Sequence, residues 1–200
     1  MISFLSFVDE LVKIANDATD RLQEKLQPGD ILTTQGIPKN KLLGSRQQTF
    51  VQRVVSPISE RVVGPYSHAG IYVGDGKLVE VMPHTGVREI PLDKYEGFLT
   101  VNAVRPKVSP GERRRAAEWA RQQVGKPYAY SSLPRAILSD RIDLKERPRN
   151  DKFICSTLVS SAYPSIKFSD RKPTDAMLPR DLALSDKNRP VAKIHPGVEG

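Results

Sequence analysis

The feature that most constrains the fold is a hairpin signal over residues 66–82. The segment SHAGIYV is followed by the triplet GDG and then by a second largely apolar segment, KLVEVM. β-Branched and aromatic residues on both sides of a glycine-rich turn are typical of two antiparallel strands. The sequence therefore predicts an antiparallel sheet built around this hairpin.

Further strands are predicted on both sides of the hairpin. They are Asp30–Gln35, Val87–Ile90, Leu99–Arg105 and Val191–Ile194. Residues 36–65 are ambiguous, because glycines and prolines surround a helical pattern near Gln47–Val55.

The first residues predict an amphipathic helix. Over residues 2–26, apolar side chains recur at steps of three and four, and Pro28-Gly29 ends the pattern. Its polar face is acidic, which favours packing on protein over binding to a membrane surface. We therefore expect an N-terminal helix over residues 1–27 and one further domain over residues 28–200.

Two more helices are predicted downstream. Ser109 and Glu112 form a capping box that opens the first. The second carries Cys155, with Asn150 or Asp151 as its predicted cap. Strands in the middle of the chain with helices before and after them predict an α+β fold, a small antiparallel sheet packed against helices.

Composition excludes several classes of protein. Of the 200 residues, 38% are hydrophobic and 27% charged, which are the proportions of an ordinary soluble domain. No stretch approaches the roughly 18 uncharged apolar residues of a transmembrane helix. No basic region precedes the apolar residues near the N-terminus, so no signal peptide is predicted. We expect a cytoplasmic protein unless it is exported by another route.

The charge and the metal-binding residue types are also informative. A net charge of +8 indicates affinity for anions, but the basic residues lack a nucleic-acid-binding motif and interleaved aromatics. We therefore interpret them as a solvated face and expect no nucleic-acid partner. One cysteine and three histidines cannot form a disulfide or a cysteine-rich zinc site, so no metal is predicted.

Cys155 is the candidate nucleophile, because it lies near the predicted N-terminus of its helix. Free N–H groups and the helix dipole stabilise an anion there, and such thiols have pKa values of roughly 3.5–7.5 instead of about 8.5. The same N–H groups can receive a developing oxyanion. A cysteine between Ile154 and Leu158 can equally be a small buried apolar residue, so the hypothesis requires a partner.

His68 is the candidate base. It lies at the start of the first hairpin strand, and strand alternation puts His68 and Gly70 on one face. The alternative interpretation is a hydrogen-bonded surface imidazole.

The turn decides which group can orient His68. A three-residue loop over Gly74–Gly76 would pair Val73 with Lys77 and place Glu80 on the face of His68. A two-residue turn would place Glu80 on the opposite face, since a slip of one residue inverts every side chain.

Alternatives remain for this third group. His84 is also diagonal to His68 in that register, although Pro83 is expected to end the strand pairing before it. Glu80 can also be an ordinary solvent-facing carboxylate. We take Glu80 as the first choice and His84 as the second.

Several motifs together resemble a known group of enzymes. They are PGDIL at Pro28–Leu32, SHAGIYVGDGKLVE at Ser67–Glu80, GVREIPL at Gly86–Leu92, GKPYAY at Gly125–Tyr130 and FICSTLVSSAY around Cys155. Their order resembles that of the circularly permuted papain-like hydrolases, the YaeF/YiiX-type branch of the NlpC superfamily, which is related to lecithin–retinol acyltransferase. In that branch the histidine strand precedes the nucleophile helix.

The resemblance implies a permuted papain-like fold with the nucleophile at a helix N-terminus. It also implies that Cys155 is the nucleophile, His68 the general base and Glu80 the third polar group. Tyr128, in GKPYAY, corresponds to a position near the nucleophile and is a candidate oxyanion or substrate contact.

The implied activity is a cysteine amidase or peptidase that needs no cofactor and forms a thioester intermediate. Its substrate would be an amide of a cell-wall peptide or an N-acylated lipid. A lipid acyltransferase or thioesterase of the same fold is the first alternative. The second is a non-catalytic module whose N-terminal helix docks on a partner protein.

Overall fold

One six-stranded sheet forms the centre of the computed structural model, which describes residues 19–35, 65–95, 100–138, 144–145 and 151–194. The strands are β1 (Ile31–Gln35), β2 (Tyr66–Gly74), β3 (Lys77–Met82), β4 (Gly86–Pro91), β5 (Thr100–Pro106) and β6 (Asn188–Ile194). All neighbours are antiparallel, and their order across the sheet is β4-β3-β2-β1-β5-β6. This confirms the predicted α+β class with an antiparallel sheet.

Helices come before and after the strands. They are α1 (residues 19–25), α2 (Pro110–Gln122), α3 (Leu133–Leu138), α4 (Cys155–Ala162) and α5 (Pro179–Ala183). Short 3-10 turns lie at Leu92–Tyr95, Tyr130–Ser132 and Thr174–Ala176. The first part of the predicted N-terminal helix and the helical pattern near Gln47–Val55 lie outside the described residues. No helix in the described ranges combines the length and apolar character needed to cross a bilayer.

The hairpin turn differs from the prediction. It has two residues, Asp75 and Gly76, with φ values of 53° and 66°, and Gly74 pairs with Lys77. Positive φ at both central residues is the geometry that matches the twist of the flanking strands. The predicted pairing of Val73 with Lys77 is therefore wrong.

A β-bulge restores the predicted register all the same. The pairing shifts between Tyr72 and Gly74, and beyond that shift Gly70 lies opposite Glu80. One extra residue on β2 compensates for the shorter turn, because a bulge sets two residues against one. Glu80 therefore shares a face with His68, although the route to that register was not predicted.

Both faces of the sheet are covered. Helices α2 and α4 cover one face in a cluster that includes Ile31, Ile71, Ala117, Leu158 and Val159. The other face packs with Leu22 of α1 and with Leu26, beside Leu32, Tyr72 and Leu78. The described end of the N-terminal helix thus buries its apolar side against this sheet.

A buried ion pair joins the end of α1 to β5. Arg105 donates from Nε and Nη2 to the two carboxylate oxygens of Asp30, each at 2.7 Å. The guanidinium also donates to the carbonyl of Lys25, and the N–H of Gln27 donates to Asp30. This two-point contact holds the chain in place where it enters β1.

Candidate active site

The sheet opens between β2 and β3 beside the candidate site. Their pairing ends at Gly70 and Glu80, whereas β2 stays paired with β1 as far as Tyr66. Tyr72 points its N–H towards the β1 side, so strand alternation directs the N–H of Ala69 towards β3. That N–H has no β3 partner in the ladder and donates instead to the sulfur of Cys155. The opening therefore brings the helix of Cys155 into contact with the strand of His68.

Cys155 is the first residue of α4, later than the predicted start of the helix. Ile154 occupies the N-cap position, and its N–H donates to Thr157 Oγ1 at 3.0 Å. Asp151 precedes this cap, so the prediction that it caps the helix is wrong; Asn150 lies outside the described residues. The later start puts the sulfur directly at the free N–H groups of the first turn, and the N–H of Ser156 donates to it. Cys155 as a whole residue is half-buried, so the start of α4 is not sealed off from solvent.

His68 and Glu80 form a buried pair. His68 Nε2 lies 2.7 Å from Glu80 Oε2, with the two residues only 8% and 2% exposed. Because Nε2 faces the carboxylate, Nδ1 is the nitrogen that remains for Cys155, with which the imidazole hydrogen-bonds. The structure thus brings together the three residues that the sequence singled out.

Two further side chains complete the surroundings of Glu80. Arg88 donates to Oε1 from Nε at 2.9 Å and from Nη2 at 2.6 Å. Tyr95 donates its hydroxyl to Oε2 at 3.1 Å, and its ring packs edge-on against His68. Both oxygens of this buried carboxylate are therefore satisfied, as burial requires.

Electrostatics favours an ion pair between the thiol and the imidazole. Burial lowers the pKa of His68, but the Glu80 charge and hydrogen bonds to Cys155 and Glu80 prevail and raise it to about 10. Burial raises the pKa of Cys155, but the hydrogen bond and charge of His68, with the N–H groups of Ala69 and Ser156, leave it lowered. A thiolate beside an imidazolium is the form that a cysteine nucleophile needs.

Glu80 remains ionised for a related reason. Burial would raise its pKa, but His68 first and Arg88 second stabilise the carboxylate and lower that pKa to about 2. It therefore presents a negative charge to the imidazole at any pH well above 2.

His84, the second choice for the orienting group, makes other contacts. It lies in the turn between β3 and β4 with φ of 71°. Its backbone N–H donates to Tyr130 Oη at 2.9 Å. The imidazole also lies near that phenol, with ring centroids 6.2 Å apart. Glu80, and not His84, is the group that contacts His68.

Tyr128 lies close enough to Cys155 for their charges to interact. Burial first, and then the charges of Cys155 and Tyr130, raise the pKa of this half-buried phenol. Its ring centroid is 4.8 Å from that of Tyr130. Tyr128 therefore stays protonated and keeps a hydroxyl that can donate a hydrogen bond.

Sequence reasoning missed Arg88 and Tyr95. The contact of Arg88 could have been predicted from the register of the second hairpin. If residues 83–85 form the loop, Met82 pairs with Gly86, and Glu80 then pairs with Arg88, as observed. Tyr95 follows β4 in a 3-10 turn, and no local pattern points to its contact with Glu80.

The described residues contain no candidate metal centre. No three His, Cys, Asp or Glu side chains converge there in an arrangement that could hold an ion.

Comparison with known proteins shows a likeness to a bacterial protein. No family model matches the chain. It is 32% identical over 134 residues to YycO, an uncharacterized protein of Bacillus subtilis (strain 168), and the match covers 65% of this chain. The matched part spans half the length of YycO.

Proposed function

We propose that this protein is a cysteine hydrolase of the permuted papain-like class, in which Cys155 is the nucleophile, His68 the general base and Glu80 the orienting carboxylate. One observation carries the proposal: a buried Glu80–His68 pair hydrogen-bonds to Cys155, a half-buried residue at the first position of a helix. A nucleophile, a base and a group that orients the base are the parts that nucleophilic catalysis requires.

In the ion pair that starts the reaction, Cys155 has given its proton to His68 and is a thiolate. The thiolate attacks the carbonyl carbon of an amide, and the tetrahedral intermediate collapses as His68 protonates the departing amine. This forms a thioester and breaks the C–N bond. Water, deprotonated by His68, then attacks the thioester and releases the acid and the thiol.

The developing oxyanion needs hydrogen-bond donors beside the sulfur. Backbone N–H groups in the first turn of α4 supply fixed dipoles at that point, and Tyr128 is the candidate side-chain donor. Each well-placed donor of this kind contributes on the order of 3 kcal/mol to the transition state.

The substrate class follows from the family resemblance. We propose an amide of a cell-wall peptide or an N-acylated lipid. A lipid acyltransferase or thioesterase would use the same three residues and would differ in what accepts the acyl group.

The test begins with the thiol itself. We expect iodoacetamide to label Cys155 stoichiometrically near pH 6, as followed by intact mass, and His68→Ala to lose this reactivity. Cys155→Ala provides the blank, since the chain has no other cysteine. A wild-type thiol that titrates like free cysteine would refute the catalytic proposal.

The substrate is then sought in parallel incubations with peptidoglycan fragments and with lipid extracts. Mass spectrometry reports an acyl adduct on Cys155, and its mass identifies the donor. An adduct from one extract and not the other decides between the two amide classes.

A further inference from the structure

The buried charges around Cys155 do not balance within the three proposed catalytic residues. A thiolate and an imidazolium cancel, but Glu80 adds a negative charge that is only 2% exposed. An uncompensated charge in such a place is costly, because little water is present to solvate it.

Arg88 is the cation that restores the balance. Its guanidinium makes two short contacts to Glu80 Oε1, while Oε2 faces His68 and Tyr95. Arg88 is the direct cross-strand partner of Glu80 on β4, so the sheet itself holds the pair in register. With Arg88 included, the four charges sum to zero.

We infer that Arg88 is a positioning residue of the active site, whose positive charge and two-point contact fix Glu80 and thereby favour the Cys155 thiolate. The inference rests on the proposed function, since it concerns the same thiol. The hydrogen bonds of Arg88 described above go to Glu80 and not to the thiol or the imidazole. Arg88 therefore acts through Glu80.

Removal of Arg88 is expected to disfavour the Cys155 thiolate whether Glu80 stays ionised or takes up a proton. If Glu80 stays ionised after Arg88 is removed, the site carries a net negative charge and the thiolate is disfavoured. If Glu80 takes up a proton, His68 loses the charge that stabilises its imidazolium, and the ion pair is again disfavoured. The pKa of Cys155 therefore rises in both cases.

The titratable groups around Cys155 come from four segments of the chain. They are His68 from β2, Glu80 from β3, Tyr95 from the 3-10 turn after β4, and Tyr128 from the segment before α3. The two tyrosines stay neutral, because the pKa of each is raised. Arg88 thus adds a positive charge to this network from outside the proposed catalytic residues.

The test is the rate of alkylation of Cys155 by iodoacetamide as a function of pH, on the full chain. We expect Arg88→Gln to move the midpoint up by about one pH unit, so that labelling below the midpoint slows about tenfold. Arg88→Lys keeps the positive charge but loses the two-point contact of the guanidinium. Its midpoint should lie between those of the wild type and of Arg88→Gln.

Arg121→Gln is the matched control. Arg121 also bonds a carboxylate on β4, donating from Nε to Glu89 Oε2 at 3.0 Å, but Glu89 follows Arg88 in the strand and so faces the other way. Its loss should leave the midpoint of Cys155 unchanged.

The outcomes separate the two proposals. A wild-type thiol that titrates like free cysteine refutes the proposed function. A low midpoint in the wild type that Arg88→Gln leaves in place overturns the role of Arg88 alone. Circular dichroism verifies folding, and Arg88→Met, which fills similar space without charge, replaces the glutamine variant if that one does not fold; an unchanged midpoint in Arg88→Met also overturns the inference.

Discussion

At the scale of single residues, Glu80 shows how the site depends on burial. On the protein surface this carboxylate would exchange its hydrogen-bond partners with water and would do little to orient the imidazole of His68. Here it is nearly inaccessible and bonds to His68, Arg88 and Tyr95 at once. The low local dielectric constant strengthens each of these contacts, so the residues that we propose to activate the thiol also contribute to stability.

This coupling predicts how stability depends on pH. The pKa of Glu80 is lowered to about 2 from 4.5. Its contribution to the free energy of unfolding is therefore complete above about pH 4.5 and is lost as the pH falls towards 2. This lowering of the pKa corresponds to about 3 kcal/mol of stability. Glu80→Gln should therefore be less stable than the wild type at pH 5, and the gap should narrow at lower pH.

Urea unfolding of both proteins between pH 3 and 7 measures this gap. Glu89→Gln is the control, because Glu89 is more exposed and pairs with surface residues. A gap that stays constant below pH 4.5 would show that Glu80 is not held as an anion.

At the scale of elements, the geometry of the site is set by how three strands and one short turn fit together. His68, Glu80 and Arg88 lie on three adjacent strands and share a face. Gly70 keeps that face clear, since an added Cβ there would lie 2.7 Å from the hydroxyl of Tyr95. The absence of a side chain at this position allows Tyr95 to reach Glu80.

Gly70→Ala tests this fit. We expect it to displace the Tyr95 hydroxyl and to destabilise the protein by about 1–3 kcal/mol. In a Tyr95→Phe background the clashing oxygen is gone, so the same substitution should cost less, with a coupling of at least about 0.5 kcal/mol.

Chemical denaturation of the four proteins in this double-mutant cycle gives the coupling directly. Additive effects would mean that Gly70 and Tyr95 do not meet, and would remove the steric argument for glycine at this position.

At the scale of the whole molecule, the Asp30–Arg105 pair ties the chain where it enters β1 to the neighbouring strand β5. The two side chains are 0% and 9% exposed, and removing one member would leave the other as an unpaired buried charge. Asp30→Ala should therefore cost about 3–5 kcal/mol of stability. In the folded protein it should not move the alkylation midpoint of Cys155.

Thermal or urea unfolding measures the cost, with Asp151→Ala as the control. Asp151 pairs with Lys126 on the surface, where its side chain is 85% exposed, and such pairs contribute little. Equal effects of the two substitutions would contradict a structural role for the buried pair.

Local patterns were sufficient for much of the architecture. Alternation and glycine placement predicted the hairpin, and the strands β1, β4, β5 and β6 lie where the sequence predicted them, within a few residues. The register of Glu80 was also predicted, because period-two alternation ties the face of one residue to that of its neighbours. The turn itself was wrong, since a bulge and a shorter turn give the same register as a longer loop.

Taken alone, the amino-acid sequence determined the α+β class and the strands, because these depend on patterns among near neighbours, and it singled out Cys155, His68 and Glu80 as candidate site residues. Only the tertiary structure decided that Cys155 meets His68, that Glu80 is buried, and that Arg88 and Tyr95 surround it. The physical reason is that these contacts arise where β2 and β3 part and α4 begins. No periodicity encodes such a junction between distant segments.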